Sequence, residues 1–348
     1  MKKRSLKHKP VLLSLFCGAG GLDIGFEKKG FEVGLAFDIR PDSIASYNVN
    51  RKLSHAFVQD VNDLTLKEMD RLYGGPFTPV GVIGGPPCQG FSVSNVNKKK
   101  SDERNKLSLT YAALLKELNK RSPVHFFVFE NVKGLLGEKH RDTYEEIKKS
   151  FEECGFNVYT SMLNAVHYGV PQNRERLIIV GLNKKIYVDA EWKPPERIKS
   201  KSLPITVKEA IGNLPKPVYF SRKLNPVDIP YHPNHWCMQP KSKKFSLEGV
   251  LVEGQSFGRS FRTLRWNKPS PTVAYGNREV HVHPSGTRRL SIYEAMLLQG
   301  FSQDYVLTGT LSQQITQVSE AVPPPLSQAI AKSLLSQLRL FEDLKKAS

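Results

Sequence analysis

The sequence predicts an α/β protein in which a doubly wound, mostly parallel sheet carries a second, smaller, irregular β-rich region. Three observations lead there. From residue 11 to 183, short apolar runs alternate with helical stretches, the pattern of βα units. Between Trp192 and Leu290 that rhythm stops, and 12 of the 23 prolines fall there, which breaks up regular hydrogen-bonded structure. An amphipathic helix then returns over about 325–344. At 348 residues the chain can bury more than one core. The expected division is 1–190 plus 305–348 as one domain and 191–304, with a hinge, as the other.

The elements follow in order. Val11–Phe16, Glu32–Asp38, Val80–Ile83, Phe126–Glu130, Asn157–Asn164 and Arg176–Gly181 are short apolar runs bounded by turn residues, and each predicts a strand. Phe57-Val58-Gln59 predicts a further strand end before Asp60. Leu22–Lys29, Pro41–Asn48, Leu107–Asn119 and Thr143–Cys154 carry helical periodicity. Residues 192–290 predict short strands and loops, and the chain shows no internal repeat.

Charge gives the first functional direction. Lys plus Arg number 51 against 33 Asp plus Glu, a net +18. Between Trp192 and Leu290, 18 basic and 6 acidic side chains place +12 of that charge in the irregular region. A basic, proline-rich module suits a polyanion, although a merely solvated basic surface has the same composition. The four cysteines Cys17, Cys88, Cys154 and Cys237 lack disulfide or zinc-knuckle spacing, which fits a reducing cytoplasm. The N-terminal basic and apolar stretches lack a small-x-small cleavage pattern. No run approaches the roughly 20 apolar residues of a membrane span. The chain is expected to be soluble, cytoplasmic and unprocessed, with no membrane partner.

Three strand ends suggest a ligand. Val11–Phe16 runs into Cys17-Gly18-Ala19-Gly20-Gly21-Leu22-Asp23, a glycine-rich turn leading to a helix, where backbone N–H groups can face a ligand. Asp38 ends the next strand, where an acid can accept from ribose hydroxyls, and Asp60 follows a third. This pattern suits nicotinamide and S-adenosylmethionine enzymes alike, but the GxGxxG of dinucleotide binders is absent.

Two others suggest chemistry. Gly84-Gly85-Pro86-Pro87-Cys88-Gln89-Gly90-Phe91-Ser92 puts a thiol on a stiff turn past a buried strand. A small packing cysteine is the bland alternative. Phe126-Phe127-Val128-Phe129 ends in Glu130-Asn131-Val132, and a carboxylate there is costly unless it is used or ligated. Gln172-Asn173-Arg174-Glu175-Arg176 precedes another apolar strand, either as a functional run or as a salt-bridged strand edge.

In this order LFCGAGGLD, GGPPCQGFS, ENV, QNRER, KPSPTV with the RLS…QGF segment, and AVPP resemble the motifs of the DNA (cytosine-5)-methyltransferase family of prokaryotic restriction–modification type, over about residues 11–335. The resemblance implies a fold of the S-adenosylmethionine-dependent methyltransferase class. It also implies methyl transfer to carbon-5 of a flipped-out cytosine in a specific double-stranded DNA sequence. Cys88 would form the covalent adduct, and Glu130 would hold or protonate ring N3. Arg176 would hold the exocyclic oxygen, and Arg174 would support Glu130 or the turn. Phe16, Gly18, Ala19, Gly21, Asp38, Ile39, Asp60, Val61, Pro87, Leu107 and Val322 would line the S-adenosylmethionine pocket, which releases S-adenosylhomocysteine. Ile39 stands where the family often stacks an aromatic ring. Ser319-Glu320 replaces the usual Gly-Asn and leaves that cofactor contact open.

The chemistry asks for these groups. Carbon-5 of cytosine is a poor nucleophile until a thiolate adds to carbon-6, and cysteine both attacks and leaves well. Flipping the base costs a few kcal/mol, and Lys98, Lys99, Lys100 and Arg104 in 89–106 suit a loop closing on phosphates. Lys241, Lys243, Lys244, Arg259, Arg262 and Arg265 are further DNA candidates. His232, His235, Cys237, His281 and His283 raise a zinc alternative, but their spacing is not a standard ligand set, and no metal is expected. A monomer in a bacterial or archaeal cytoplasm, acting beside a separately encoded restriction endonuclease, completes the expectation. A tRNA cytosine methyltransferase, a non-catalytic DNA-binding relative and a nicotinamide oxidoreductase are the rivals.

Overall fold

Alternation of apolar side chains builds the central sheet. Leu13, Leu15, Phe127, Phe129, Leu177 and Ile179 point to one face, while Leu12, Phe126, Val128, Ile178 and Val180 point to the other. Both faces are buried, so these strands read as continuous apolar runs rather than as half-polar ones. The computed structural model describes residues 9–52, 55–87, 106–199, 204–258, 260–273 and 279–338. Cys88, Lys98, Lys99, Lys100, Arg104 and Arg259 lie outside the described residues.

The strands are β1 (Val11–Leu15), β2 (Glu32–Asp38), β3 (Ala56–Val58), β4 (Gly81–Gly84), β5 (Phe126–Asn131), β6 (Phe156–Asn164) and β7 (Glu175–Asn183). They form one sheet in the order β3-β2-β1-β4-β5-β7-β6. The β1, β2, β3, β4 and β5 neighbours pair in parallel, and β7 runs antiparallel to both β5 and β6. The chain therefore winds outward from β1 in one direction and restarts beside it at β4. The gap between β1 and β4 is the topological switch point, where open α/β sheets bind ligands.

Helices α1 (Gly21–Glu27), α2 (Pro41–Val49), α4 (Lys106–Arg121) and α5 (Arg141–Glu153) fall where periodicity predicted them, with α3 (Leu66–Tyr73) as an addition. Between α4, α5 and the sheet lies an aromatic cluster, in which Phe127 stacks on Phe151 at 4.2 Å and Tyr111 meets Phe129 edge-on at 5.7 Å. Such pairs contribute about 0.5–1.5 kcal/mol each beyond burial. The last described helix, α9 (Pro324–Leu338), covers the opposite face through Leu326, Ile330 and Leu334.

The irregular region keeps the expected short strands. β8 (Val218–Tyr219) pairs with β9 (Trp236–Cys237), and β10 (Ser256–Phe257), β11 (Phe261–Thr263) and β12 (His281–Val282) form a small sheet. Its core joins Trp236, Leu264 and Val273 to three helices that periodicity had not marked: α6 (Val207–Ile211), α7 (Ile292–Gln299) and α8 (Leu311–Glu320). Helix α7 was invisible because seven of its eight residues are buried, leaving no polar face to reveal a period. Among the described residues, no helix is long and apolar enough to cross a membrane.

Candidate active site

Four strand ends meet at the switch point. The turn after β1, Asp38 at the end of β2, the Gly85–Pro87 turn after β4 and Glu130 near the end of β5 share the carboxyl edge of the parallel strands. Because β7 is antiparallel to β5, its beginning lies at that same edge. The QNRER run is thus delivered to the carboxylate by strand direction.

Arg176 Nε lies 2.7 Å from Glu130 Oε1, with both side chains about nine-tenths buried. Burial pushes the Glu130 carboxyl above the ordinary glutamate range, and the charges of Arg176 and then Arg174 pull against that rise. A Cβ on Gly85 would come within 2.6 Å of Glu130 Oε2, so the turn that leads to Cys88 packs directly against this carboxylate. A carboxyl whose protonated form burial favours, on an arginine that fixes its orientation, can hold or deliver a proton.

Arg174 is fully buried, and its Nη2 donates to the carbonyls of Ser319 at 2.6 Å and Ala321 at 3.0 Å. Its charge still acts on Glu130. These hydrogen bonds go to the end of α8, a direction the sequence had not suggested. Gln172, also fully buried, accepts from Val273 N at 3.1 Å and donates to Leu298 O at 3.1 Å and Gln299 Oε1 at 2.7 Å. Asn173 N donates to Ser270 O at 2.7 Å. Three consecutive residues therefore tie the carboxyl edge of the sheet to 270–273, α7 and α8.

The turn after β1 is strained. Phe16 has φ 56°, a left-handed conformation costly for a bulky side chain, and Gly18 and Gly20 follow at 53° and 81°. Gly18 N donates to Asp38 Oδ2 and Arg40 N to Asp38 Oδ1, both at 2.9 Å. Burial raises the Asp38 carboxyl, and these two backbone donors oppose that. A Cβ on Gly18 would meet nothing within 4 Å, while one on Gly21 would come within 2.4 Å of Val322 O. The turn is thus open on one side and packed against the α8–α9 junction on the other. Ala19 is buried, and its carbonyl accepts from Tyr305 Oη at 2.5 Å. Ile39 is 64 % exposed. Asp60 caps a short turn by accepting from Asn62 N at 2.9 Å, and Val61 turns into the core. Pro87 is exposed, and Leu107 lies in the first turn of α4.

In the basic region Lys241, Lys243 and Arg265 are exposed, and Arg262 is half-buried on β11. Lys244 Nζ sits 4.0 Å from the centroid of the Phe257 ring, itself half exposed. The histidines do something else. His232 stacks on Tyr293 at 3.9 Å, His235 bonds Ser291 and the Pro215 carbonyl, and His281 pairs with Glu279 at 2.7 Å. Burial lowers His232 and His283 to about 4. No cluster that could hold a metal ion occurs among the described residues.

Comparison with known proteins supplies the family. The profile of the C-5 cytosine-specific DNA methylases matches residues 11–336. The chain belongs to that family. The type II methyltransferase M.NmeDI of Neisseria meningitidis serogroup C is 33 % identical, with 96 % of this chain and 86 % of the relative aligned. M.FnuDI of Fusobacterium nucleatum is 31 % identical over 96 % of this chain and 97 % of its own. The fold is shared with a DNA modification methyltransferase encoded by an Escherichia coli prophage, at TM-score 0.76, 24 % identity and 94 % and 99 % coverage. It is also shared with Spodoptera frugiperda Dnmt2, at TM-score 0.64, 15 % identity and 93 % and 99 % coverage. The C-5 cytosine-specific methylases act on DNA. The match spans both the sheet and the irregular region, so the motif order read from the sequence belongs to one continuous family architecture.

Proposed function

We propose that this methylase transfers the methyl group of S-adenosylmethionine to carbon-5 of a flipped-out cytosine in a specific duplex sequence, through a covalent adduct with Cys88. The observation that carries the reading is the buried Glu130–Arg176 pair packed against Gly85, three residues before Cys88. The other cysteines, Cys17, Cys154 and Cys237, are buried, and burial raises each thiol, which keeps them protonated and inert.

The residues beside the switch point fit the cofactor. The open side of Gly18 admits a ligand to the backbone, Asp38 offers a carboxylate suited to ribose hydroxyls, and exposed Ile39 offers an apolar face to an adenine ring. Phe16, Ala19, Gly21, Asp60, Val61, Pro87, Leu107 and Val322 complete the set of candidates. When bound, S-adenosylmethionine supplies an electrophilic methyl on a sulfonium.

The Cys88 thiolate adds to carbon-6, which moves electron density to carbon-5. Glu130 holds a proton at ring N3 to offset the charge developing there, and Arg176 orients Glu130 and the exocyclic oxygen. Carbon-5 takes the methyl group. Loss of its proton then restores the double bond and expels the thiolate. Exposed Lys241, Lys243 and Arg265, with Lys244, Arg259 and Arg262, meet DNA phosphates or bases, and Lys98, Lys99, Lys100 and Arg104 close on the backbone beside the flipped base. Its relatives are type II methyltransferases, which supports a protective role against a separately encoded nuclease; a cytoplasmic monomer is part of the same proposal.

Labelled methyl transfer from S-adenosylmethionine to duplex DNA and to tRNA tests this. Label in duplex DNA, absent with Cys88→Ala, is expected. Label in tRNA alone would overturn the substrate.

A further inference from the structure

We propose that Glu320 sets the preference of the cofactor pocket for a cationic occupant, favouring S-adenosylmethionine over its neutral-sulfur product. The inference rests on the cofactor reading above and extends it to one residue in which this chain departs from the usual Gly-Asn.

The position of Glu320 is imposed. It is the last residue of α8, and the carbonyls on either side, of Ser319 and Ala321, are both held by the buried Arg174. Gln299 Nε2 adds a second donor to Ala321 O at 2.5 Å, and the next carbonyl, of Val322, lies against Gly21 in the turn after β1. A backbone clamped from behind presents residue 320 at the rim of that turn.

Across the rim stands Arg40. Its backbone N–H donates to Asp38 Oδ1, its Nη2 meets Asp42 Oδ2 at 2.7 Å and its Nη1 meets Glu320 Oε2 at 3.3 Å. Gln317 Nε2 also donates to Asp42 Oδ2, at 2.9 Å. Three carboxylates, Asp38, Asp42 and Glu320, thus surround one guanidinium, leaving two negative charges in excess. The link to Asp42 is short, with that carboxylate nearly buried, whereas Glu320 is half exposed and at the longer distance. A half-exposed pair of this kind adds little to stability. The Glu320 charge is therefore a field across the pocket mouth more than a structural tie.

S-adenosylmethionine and S-adenosylhomocysteine share the adenosine, the ammonium and the carboxylate. They differ by a methyl group and the sulfonium charge it creates. A carboxylate at the rim acts on that difference, and Arg40 opposes it. Removing either partner should thus shift the ratio of the two affinities in opposite directions, whereas a purely structural clasp would weaken both ligands alike.

Isothermal titration of the purified protein with each ligand at pH 8 tests this. For Glu320→Gln, the affinity ratio of S-adenosylmethionine to S-adenosylhomocysteine should fall roughly three- to tenfold. For Arg40→Gln it should rise, and Glu320→Asp should restore most of the wild-type ratio. Both shifts should shrink at high salt. An unchanged ratio in Glu320→Gln, or a shift in the same direction for both neutral variants, would overturn the proposal. Failure of the wild-type protein to bind either ligand would instead overturn the cofactor reading.

Discussion

The carboxyl edge of the sheet and the basic region present charge in opposite ways. At the edge, Glu130 and Arg176 are almost buried, the Gly85 turn is packed against the carboxylate, and β4 and β5 behind it are buried throughout. In the basic region Lys241 and Lys243 stand in water on irregular backbone and a single short helical turn, with the Phe257 ring beside Lys244. Chemistry needs atoms held to within a fraction of an ångström, so it sits where packing fixes every rotamer. Contact with a polyanion needs charge and reach, which irregular backbone supplies.

Breaking the rigid side should cost most. Glu130→Gln is expected to slow methyl transfer on the order of 10²–10⁴-fold, the usual contribution of a positioned proton donor. S-adenosylmethionine affinity should be nearly unchanged. Single-turnover rates and calorimetry separate the two effects, and equal losses in both would mean that Glu130 mainly supports the fold.

The two regions should also respond oppositely to pH. Asp23, fully buried under the turn after β1 and bonded to Ser14, is raised to about 6 by burial. The unfolded chain ionises it near 4, so this group's contribution is present at low pH and lost as pH rises through about 6, on the order of 3 kcal/mol at most. Asp23→Asn should flatten the fall in thermal stability between pH 4 and 6. In the basic region, His232 and His283 are lowered to about 4. Their contribution is present above pH 6.5 and lost as pH falls through about 4. Denaturation of His232→Gln followed from pH 7 to 4 should show a shallower acid limb. A steeper limb would contradict the assignment.

The smallest effect belongs to single surface lysines. Lys243→Ala should weaken DNA binding several-fold and reduce the salt slope by about one if it meets a phosphate, with the single-turnover rate on bound DNA unchanged. A large loss of that rate would blur the distinction between the regions.

The same contrast decides what could be read from the sequence. The sheet was legible because strands buried on both faces are short apolar runs between turn residues, and because Glu130 ends one of them. Strand β7 also appeared as an apolar run, yet its antiparallel direction, which brings Arg176 to Glu130, has no local signature. The same holds for long-range bonds. Arg174 meets Ser319 145 residues away, Gln172 meets Val273 at 101, and Arg40 meets Glu320 at 280. Each is a polar contact created by folding, and periodicity records only which faces are apolar. Helix α8 was missed for a related reason: its buried Gln314 and Gln317 look like surface residues until their partners are known.

The central claim is that Cys88, three residues after the glycine that packs against Glu130, performs the transfer. Bisulfite sequencing of DNA from cells expressing the wild-type protein and Cys88→Ala tests it directly. The account predicts methylated cytosine at one defined sequence with the wild type and none above background with the variant. The same pattern of methylation in Cys88→Ala would contradict it.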